Sequence, residues 1–208
     1  MFHFFAKLSR MKYIDRWGLM HNTRKENLSE HSFESAVLAH ALAVLRNERF
    51  GGGVSPERAA LLALFHDATE IITGDMPTPV KYYNGALRKA YAEVEAVARD
   101  RLLALLPADL QPVYDPLLSE GRTGSPEDQA LIPLVKAADK LSALIKCVEE
   151  RRMGNTEFVQ AEAAMRESLR QMALPELSLI HISKTPLRRL YINSSSPQSM
   201  SGKKTIAS

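Results

Sequence analysis

His66 and Asp67 are adjacent inside the apolar run RAALLALFHDATEII, where packing alone asks for neither an imidazole nor a carboxylate. Buried together they are costly unless paired with each other or bound to a cation. Glu70 follows four positions after His66, so on a helix it returns to the same face. Asp139 stands among Ala137, Ala138, Ser142 and Ala143, small groups that let another helix approach, on the rim of an apolar stripe through Val135. His31 is in phase with Leu38 and Leu42 and is expected to look inward. Two imidazoles and two carboxylates form a mixed nitrogen and oxygen set that suits zinc, manganese, cobalt or iron rather than calcium. Singly, each has a plainer explanation: an inward histidine is most often a hydrogen-bonded core residue, and a lone Asp139 a salt-bridge partner. His3, His21, His40 and His181 keep that explanation. The adjacent pair His66-Asp67 is what tips the set toward a metal.

Bringing these side chains together takes several helices. The dominant periodicity is helical and no segment alternates like a half-buried strand, so an all-α helical bundle is expected. Residues 2–13 form a short apolar-faced segment. Ser29 caps a helix to about Phe50, with Phe33, Val37, His40, Ala41 and Val44 as its core stripe, and Gly51-Gly52-Gly53 stops it. Ser55-Pro56-Glu57 starts a helix that is apolar almost all round, the buried central one, and it carries His66-Asp67. Two prolines exclude a helix over Gly74–Pro79. Asn84 opens a third long helix, with Leu87, Tyr91, Val94, Ala98, Leu102 and Leu105 in step. A short segment follows from Pro107 to about Ser119. Ser125-Pro126-Glu127 launches a long helix to about Met153, and Thr156 starts a last one to about Ala173.

With 208 residues, 45% hydrophobic and 25% charged, the chain has the composition of one globular domain. No run approaches the roughly 18–20 apolar residues that span a bilayer, and the N-terminus does not resemble a signal peptide. A cytoplasmic protein without membrane or nucleic-acid partners is expected. The single cysteine, Cys147, excludes a disulfide framework or multi-cysteine zinc module and reads as a small buried helical residue. The net charge of +3 belongs to the C-terminus. Five of the 27 basic side chains and none of the 24 acids follow residue 176, so residues 1–176 hold 22 basic against 24 acidic groups. The division expected is a folded domain over 1–176 and a serine-rich, weakly ordered tail over 177–208, foreign to the rest of the chain.

The order His31, His66-Asp67, Asp139 on successive helices resembles the signature of the HD-domain metal phosphohydrolases. The words ID-RWGLM, ENLSEHS, LFHDATEIITGDMPTPVKYYN and KAADKLSALIKCVEE closely resemble the bacterial HD-domain 5′-deoxynucleotidases, from about Phe4 to about Ala173. That resemblance implies hydrolysis of deoxyribonucleoside 5′-monophosphates to deoxyribonucleosides and phosphate, with a metal-activated water attacking the phosphorus. It implies one divalent transition metal per chain (cobalt, manganese, zinc or copper) on His31, His66, Asp67 and Asp139, and a homodimer. Glu70, Arg16 and Asp75 correspond to catalytic residues. Arg16, Trp17, His31, Asp75, Met76, Pro77, Thr78 and Asp139 correspond to substrate-binding ones. In this reading Arg16 meets the phosphate, Glu70 orients or deprotonates water, and Asp75 protonates the leaving 5′-oxygen or binds the 3′-hydroxyl. Trp17 packs on C2′ and leaves no space for a hydroxyl. Lys81 and Lys140 read as surface groups. The aromatic and acidic closing segment expected around a Pro-Ser-Phe sequence has no counterpart from Leu174 onward. Three other readings compete: an HD phosphohydrolase acting on cyclic nucleotides, triphosphates or guanosine tetraphosphate; a non-catalytic helical module keeping a structural metal; and a nucleic-acid binder using the basic tail.

Overall fold

The computed structural model describes residues 2–180 apart from Tyr82 and Glu120. It is all-α: α1 (Phe2–Leu8) runs into a 3-10 turn, and α2 (Leu28–Phe50), α3 (Pro56–Phe65), α4 (Glu70–Thr73) and α5 (Thr78–Lys81) follow. Then come α6 (Gly85–Leu103), α7 (Gln111–Leu118), α8 (Pro126–Arg152) and α9 (Val159–Gln171). Among the described residues the only β-type pairing is an isolated antiparallel bridge between Asp15 and Asn27.

The core is built where α2, α3 and α8 pack together around Leu42, Leu62, Leu131 and Leu134, all fully buried or nearly so. Burial of each such leucine contributes about 1.5–3 kcal/mol. Arg58 clamps α3 to α8 through two parallel bonds to Asp128, Nε–Oδ1 at 2.6 Å and Nη2–Oδ2 at 2.7 Å. A smaller cluster of Phe4, Ala68, Leu102, Leu106 and Leu118 fixes α1 and the turn after α3 against α6 and α7.

Local capping is strong. Ser55 and Ser125 each accept a backbone N–H from three residues on, with proline at the first helical position, and Asn84 caps α6 in the same way. α2, however, is capped by Asn27 rather than Ser29. The Asn27 side chain accepts the N–H groups of Ser29 and Glu30, and Glu30 reaches back to the Asn27 N–H, a reciprocal box that starts the helix two residues earlier.

Other expectations need correction. The stripe Phe33, Val37, His40 and Val44 faces solvent, with Phe33 67% and Val37 54% exposed. The buried face of α2 is instead His31, Ser32, Ser35, Ala36, Ala39, Leu42 and Ala43, mostly small groups that allow α3 and α8 to approach closely. The central helix is interrupted: α3 ends at Phe65, a turn spans 66–69, and Glu70 opens the one-turn α4. α3 is also less buried than expected, since Leu61 and Leu64 are partly exposed. Thr78 and Pro79 are helical, because proline in the first turn forfeits no intrahelical bond. Val94 stands out of step with its buried neighbours on α6.

The body also extends beyond residue 176. Leu177 and Ile180 pack against the main core, and Glu176, just before them, is buried and ion-paired with Arg46 at 2.5 Å. The rest of the expected tail, His181 included, lies outside the described residues. No helix among the described residues is long and apolar enough to cross a membrane.

Candidate active site

His31 sits one turn into α2, His66-Asp67 lies just past the end of α3, and Asp139 is midway along α8. Helix packing brings all four together. His31 Nε2 lies 3.2 Å from Asp139 Oδ1 and 3.5 Å from Asp67 Oδ2. His66 Nε2 lies 3.2 Å from Asp67 Oδ2 and 4.0 Å from Asp139 Oδ1. Ligand atoms of His31, His66 and Asp139 fall within 4.8 Å of one another.

Each imidazole is held by its other nitrogen. His66 Nδ1 donates to the Ala63 carbonyl at 2.6 Å. His31 Nδ1 lies 3.0 Å from Ser142 Oγ, whose own proton goes to Glu34 Oε2 at 2.6 Å, so His31 is the donor to the serine. Both rings therefore turn the lone pair of Nε2 inward, and both Nε2 atoms are buried without a hydrogen-bond partner. That is the orientation a metal ligand needs. Burial disfavours a charged His66, but Asp67 and then Asp139 outweigh it and push the imidazole up to about 10, so the pocket calls for positive charge at this point. His31 goes the other way, held below its ordinary value by burial and by Arg16. The donor set fits a divalent transition metal: His31, His66 and Asp139 could hold one, with Asp67 Oδ2 3.2 Å from His66 Nε2 beside them.

Facing this cluster is the segment of residues 14–27. Arg16 and Trp17 both bond one carboxylate oxygen, Glu26 Oε2: Arg16 Nη1 at 3.2 Å and Trp17 Nε1 at 2.8 Å. Arg16 Nε is buried without a partner, and the guanidinium lies within the field of Asp67, Asp139 and Asp75. Trp17 has a left-handed backbone, φ 61°, which for a bulky residue costs about 1–3 kcal/mol and persists only where its surroundings impose it. Those surroundings are the bond from Trp17 N–H to Asp75 Oδ2 at 3.3 Å, the indole bond to Glu26, and Phe158 packed 5.3 Å from the ring.

Glu70 Oε2 is buried and unpartnered, and burial, with the charges of Asp67 and Asp75, pushes its carboxyl up to about 9. Asp75 is also held above the usual carboxylate range, by burial. A cavity of about 270 Å³ opens beside Glu70, lined in part by His66, Asp67, Lys81, Glu95 and Arg99. Lys81 is not a free surface group: it is half-buried and pairs with Glu95 at 2.9 Å. Met76 and Pro77 are half-buried and Thr78 is exposed on the run after Asp75. Glu26, Ser142 and Glu34 hold the site without having been singled out from the sequence, although Glu26 opens the word ENLSEHS.

An all-helical body with His, His-Asp and Asp converging on one point is the architecture of the HD-domain phosphohydrolases. An HD-domain phosphohydrolase from Listeria innocua superposes with a TM-score of 0.69 at 27% identity, covering 91% of this chain and 95% of that one. The same fold recurs at a TM-score of 0.57 and 19% identity in a cyanophage S-2L HD phosphohydrolase, DatZ, bound to dA and one catalytic Zn2+ ion, with 84% of this chain and 91% of that one covered. The family model for YfbR-like 5′-deoxynucleotidases matches residues 3–183, ten residues beyond the stretch whose wording carries the resemblance. A 5′-deoxynucleotidase of Cronobacter sakazakii is 49% identical over 175 residues, 84% of this chain and 86% of the relative. The chain belongs to the YfbR-like 5′-deoxynucleotidase family.

Proposed function

We propose that the chain is a metal-dependent 5′-deoxynucleotidase that hydrolyses deoxyribonucleoside 5′-monophosphates. The observation that carries this reading is the pair of buried, unpartnered imidazole nitrogens clustered with Asp139, together with Arg16, whose buried Nε also lacks a partner and which lies in the field of Asp67 and Asp139. A phosphate monoester beside a cation satisfies both needs. A divalent metal held by His31, His66, Asp67 and Asp139 supplies Lewis acidity and lowers the pKa of water. Arg16 binds the phosphate oxygens with the donors that Glu26 leaves free. Glu70, whose buried Oε2 has no partner, orients the attacking water or, once ionised, takes its proton at that oxygen. Asp75, its Oδ2 held by the Trp17 N–H, turns Oδ1 to the leaving 5′-oxygen or the 3′-hydroxyl. Trp17 closes the space at C2′.

Met76, Pro77 and Thr78 complete the substrate loop in this reading. The ion is cobalt, manganese, zinc or copper, the setting is the cytoplasm, and the exposed apolar row Phe33, Val37 and Val44 of α2 supports a homodimer. The test is phosphate release from mono- and triphosphates, cyclic nucleotides and guanosine tetraphosphate by metal-stripped enzyme to which each ion is restored in turn. Monophosphate hydrolysis that returns with metal supports the reading. Turnover confined to the cyclic, triphosphate or tetraphosphate arms supports the other HD-phosphohydrolase activities, and no turnover in any arm supports a non-catalytic module.

A further inference from the structure

Resting on the reading that Arg16 meets phosphate and Trp17 meets the sugar, we infer that Glu26 is a positioning residue that sets both side chains as one unit. Its Oε2 accepts from Arg16 Nη1 and from Trp17 Nε1, and the carboxylate is nearly buried. Neighbouring side chains on an extended chain point to opposite sides. Here the left-handed backbone at Trp17 lets both reach the same oxygen. Glu26 is itself fixed opposite them: its carbonyl accepts the Arg16 N–H at 2.9 Å, and Leu28 N–H donates to the Ile14 carbonyl at 2.9 Å. Because a guanidinium is planar, holding Nη1 fixes the plane in which the remaining donors lie. The indole is pinned along its N–H edge by Glu26 and on its ring by Phe158. A small rotation about either bond moves a phosphate donor or opens the space at C2′, and misplacements of about 1 Å cost up to about a hundredfold in rate.

The consequence is that phosphate capture and sugar discrimination are coupled through one carboxylate that touches no substrate. The test uses the metal-restored full chain and reads kcat and KM on matched deoxyribo- and ribonucleoside 5′-monophosphates. Glu26→Ala is expected to raise KM and to lower the deoxy-to-ribo ratio of kcat/KM about tenfold. Glu26→Gln keeps an oxygen in place for the indole and is expected to restore the ratio to within about twofold of wild type, a rescue that a general folding role would not give. Trp17→Phe deletes the indole N–H. In that background Glu26→Ala is expected to lower kcat/KM without a further fall in the ratio, and this arm also stands in if the single alanine variant does not fold. A Glu26→Ala ratio equal to a large wild-type ratio, or an added fall in the Trp17→Phe background, overturns the inference alone. A wild-type ratio near one overturns the reading of Trp17 and the sugar half of the inference with it.

Discussion

The two halves of the pocket are held by different means. His31, His66 and Asp139 come from helices or a helix end, and their positions follow from buried small-residue packing and from partners on each imidazole's far nitrogen. Arg16 and Trp17 come from an irregular segment held by individual carboxylates. Glu26 fixes their side chains and Asp75 the Trp17 N–H. Glu150, fully buried, accepts the N–H groups of Thr23 and Arg24 and side-chain donors from Lys146 and Asn155. Lys146 also donates to the Arg24 carbonyl. Helix positions are shared among many contacts, whereas each loop position depends on a few charged bonds. The metal half should therefore fail as a whole, and the loop half should be adjustable piece by piece.

The largest expected effect separates the halves outright. Asp139→Ala should lose both metal retention and turnover, by well over a hundredfold, since loss of a partner behind a ligand alone costs about 10–100-fold. Metal content after dialysis and phosphate release check it. Full activity in chelated enzyme would contradict a metal role. Next, Glu70→Gln should cut kcat about 10²–10⁴-fold while metal content stays at the wild-type level. A variant that loses its metal instead would make Glu70 part of the cation's support. Ser142→Ala removes the partner of His31 Nδ1 and should weaken metal affinity about 10–100-fold without changing the deoxy-to-ribo ratio. Trp17→Ala should do the reverse, narrowing that ratio about tenfold with metal affinity intact.

The smallest effect on turnover is a stability effect in the loop. Burial alone would raise the Glu150 carboxyl, but Lys146, Asn155 and the Thr23 and Arg24 N–H groups hold it well below the ordinary 4.5. Its folded value is depressed, so its stabilisation is complete above that ordinary value and is lost as pH falls below it. Glu150→Gln should cost about 1–3 kcal/mol at neutral pH and flatten the stability profile below about pH 4.5, read by denaturant titration across pH. An unchanged profile would mean that the loop is held by something else.

The sequence showed the helix half best. Ser55-Pro56, Asn84 and Ser125-Pro126 were readable as starts because capping is a local interaction. His31 was readable as inward because Leu42, in phase with it, is core. Periodicity defines stripes but not which stripe faces inward. On α2 the bulky row Phe33, Val37 and Val44 lost to a row of alanines and serines, because α3 and α8 need room. The break after Phe65 was hidden because the apolar pattern continues through Ile71, while the ending depends on His66 bonding the Ala63 carbonyl. The supports were harder still. Ser142 lies 111 positions from His31, and Glu150 lies 127 from Thr23, so nothing local announces either bond. Glu26 is ten positions from Arg16, within the same quoted words, and is the one support that a closer reading of short-range charge pairs could have found. At the C-terminal end, composition marked the change of character near residue 177, but Ile180 still reaches the core.

The most direct test of the proposed division between metal-holding helix residues and substrate-reading loop residues is the wild-type kcat/KM for a deoxyribonucleoside 5′-monophosphate and its ribo counterpart. Both are measured on one preparation, first chelated and then restored with a single divalent ion. The expected result is no turnover of either when chelated and, on restoration, hydrolysis of the deoxy substrate at least about tenfold better than the ribo one. Equal hydrolysis of both sugars, or turnover that survives chelation, would contradict it.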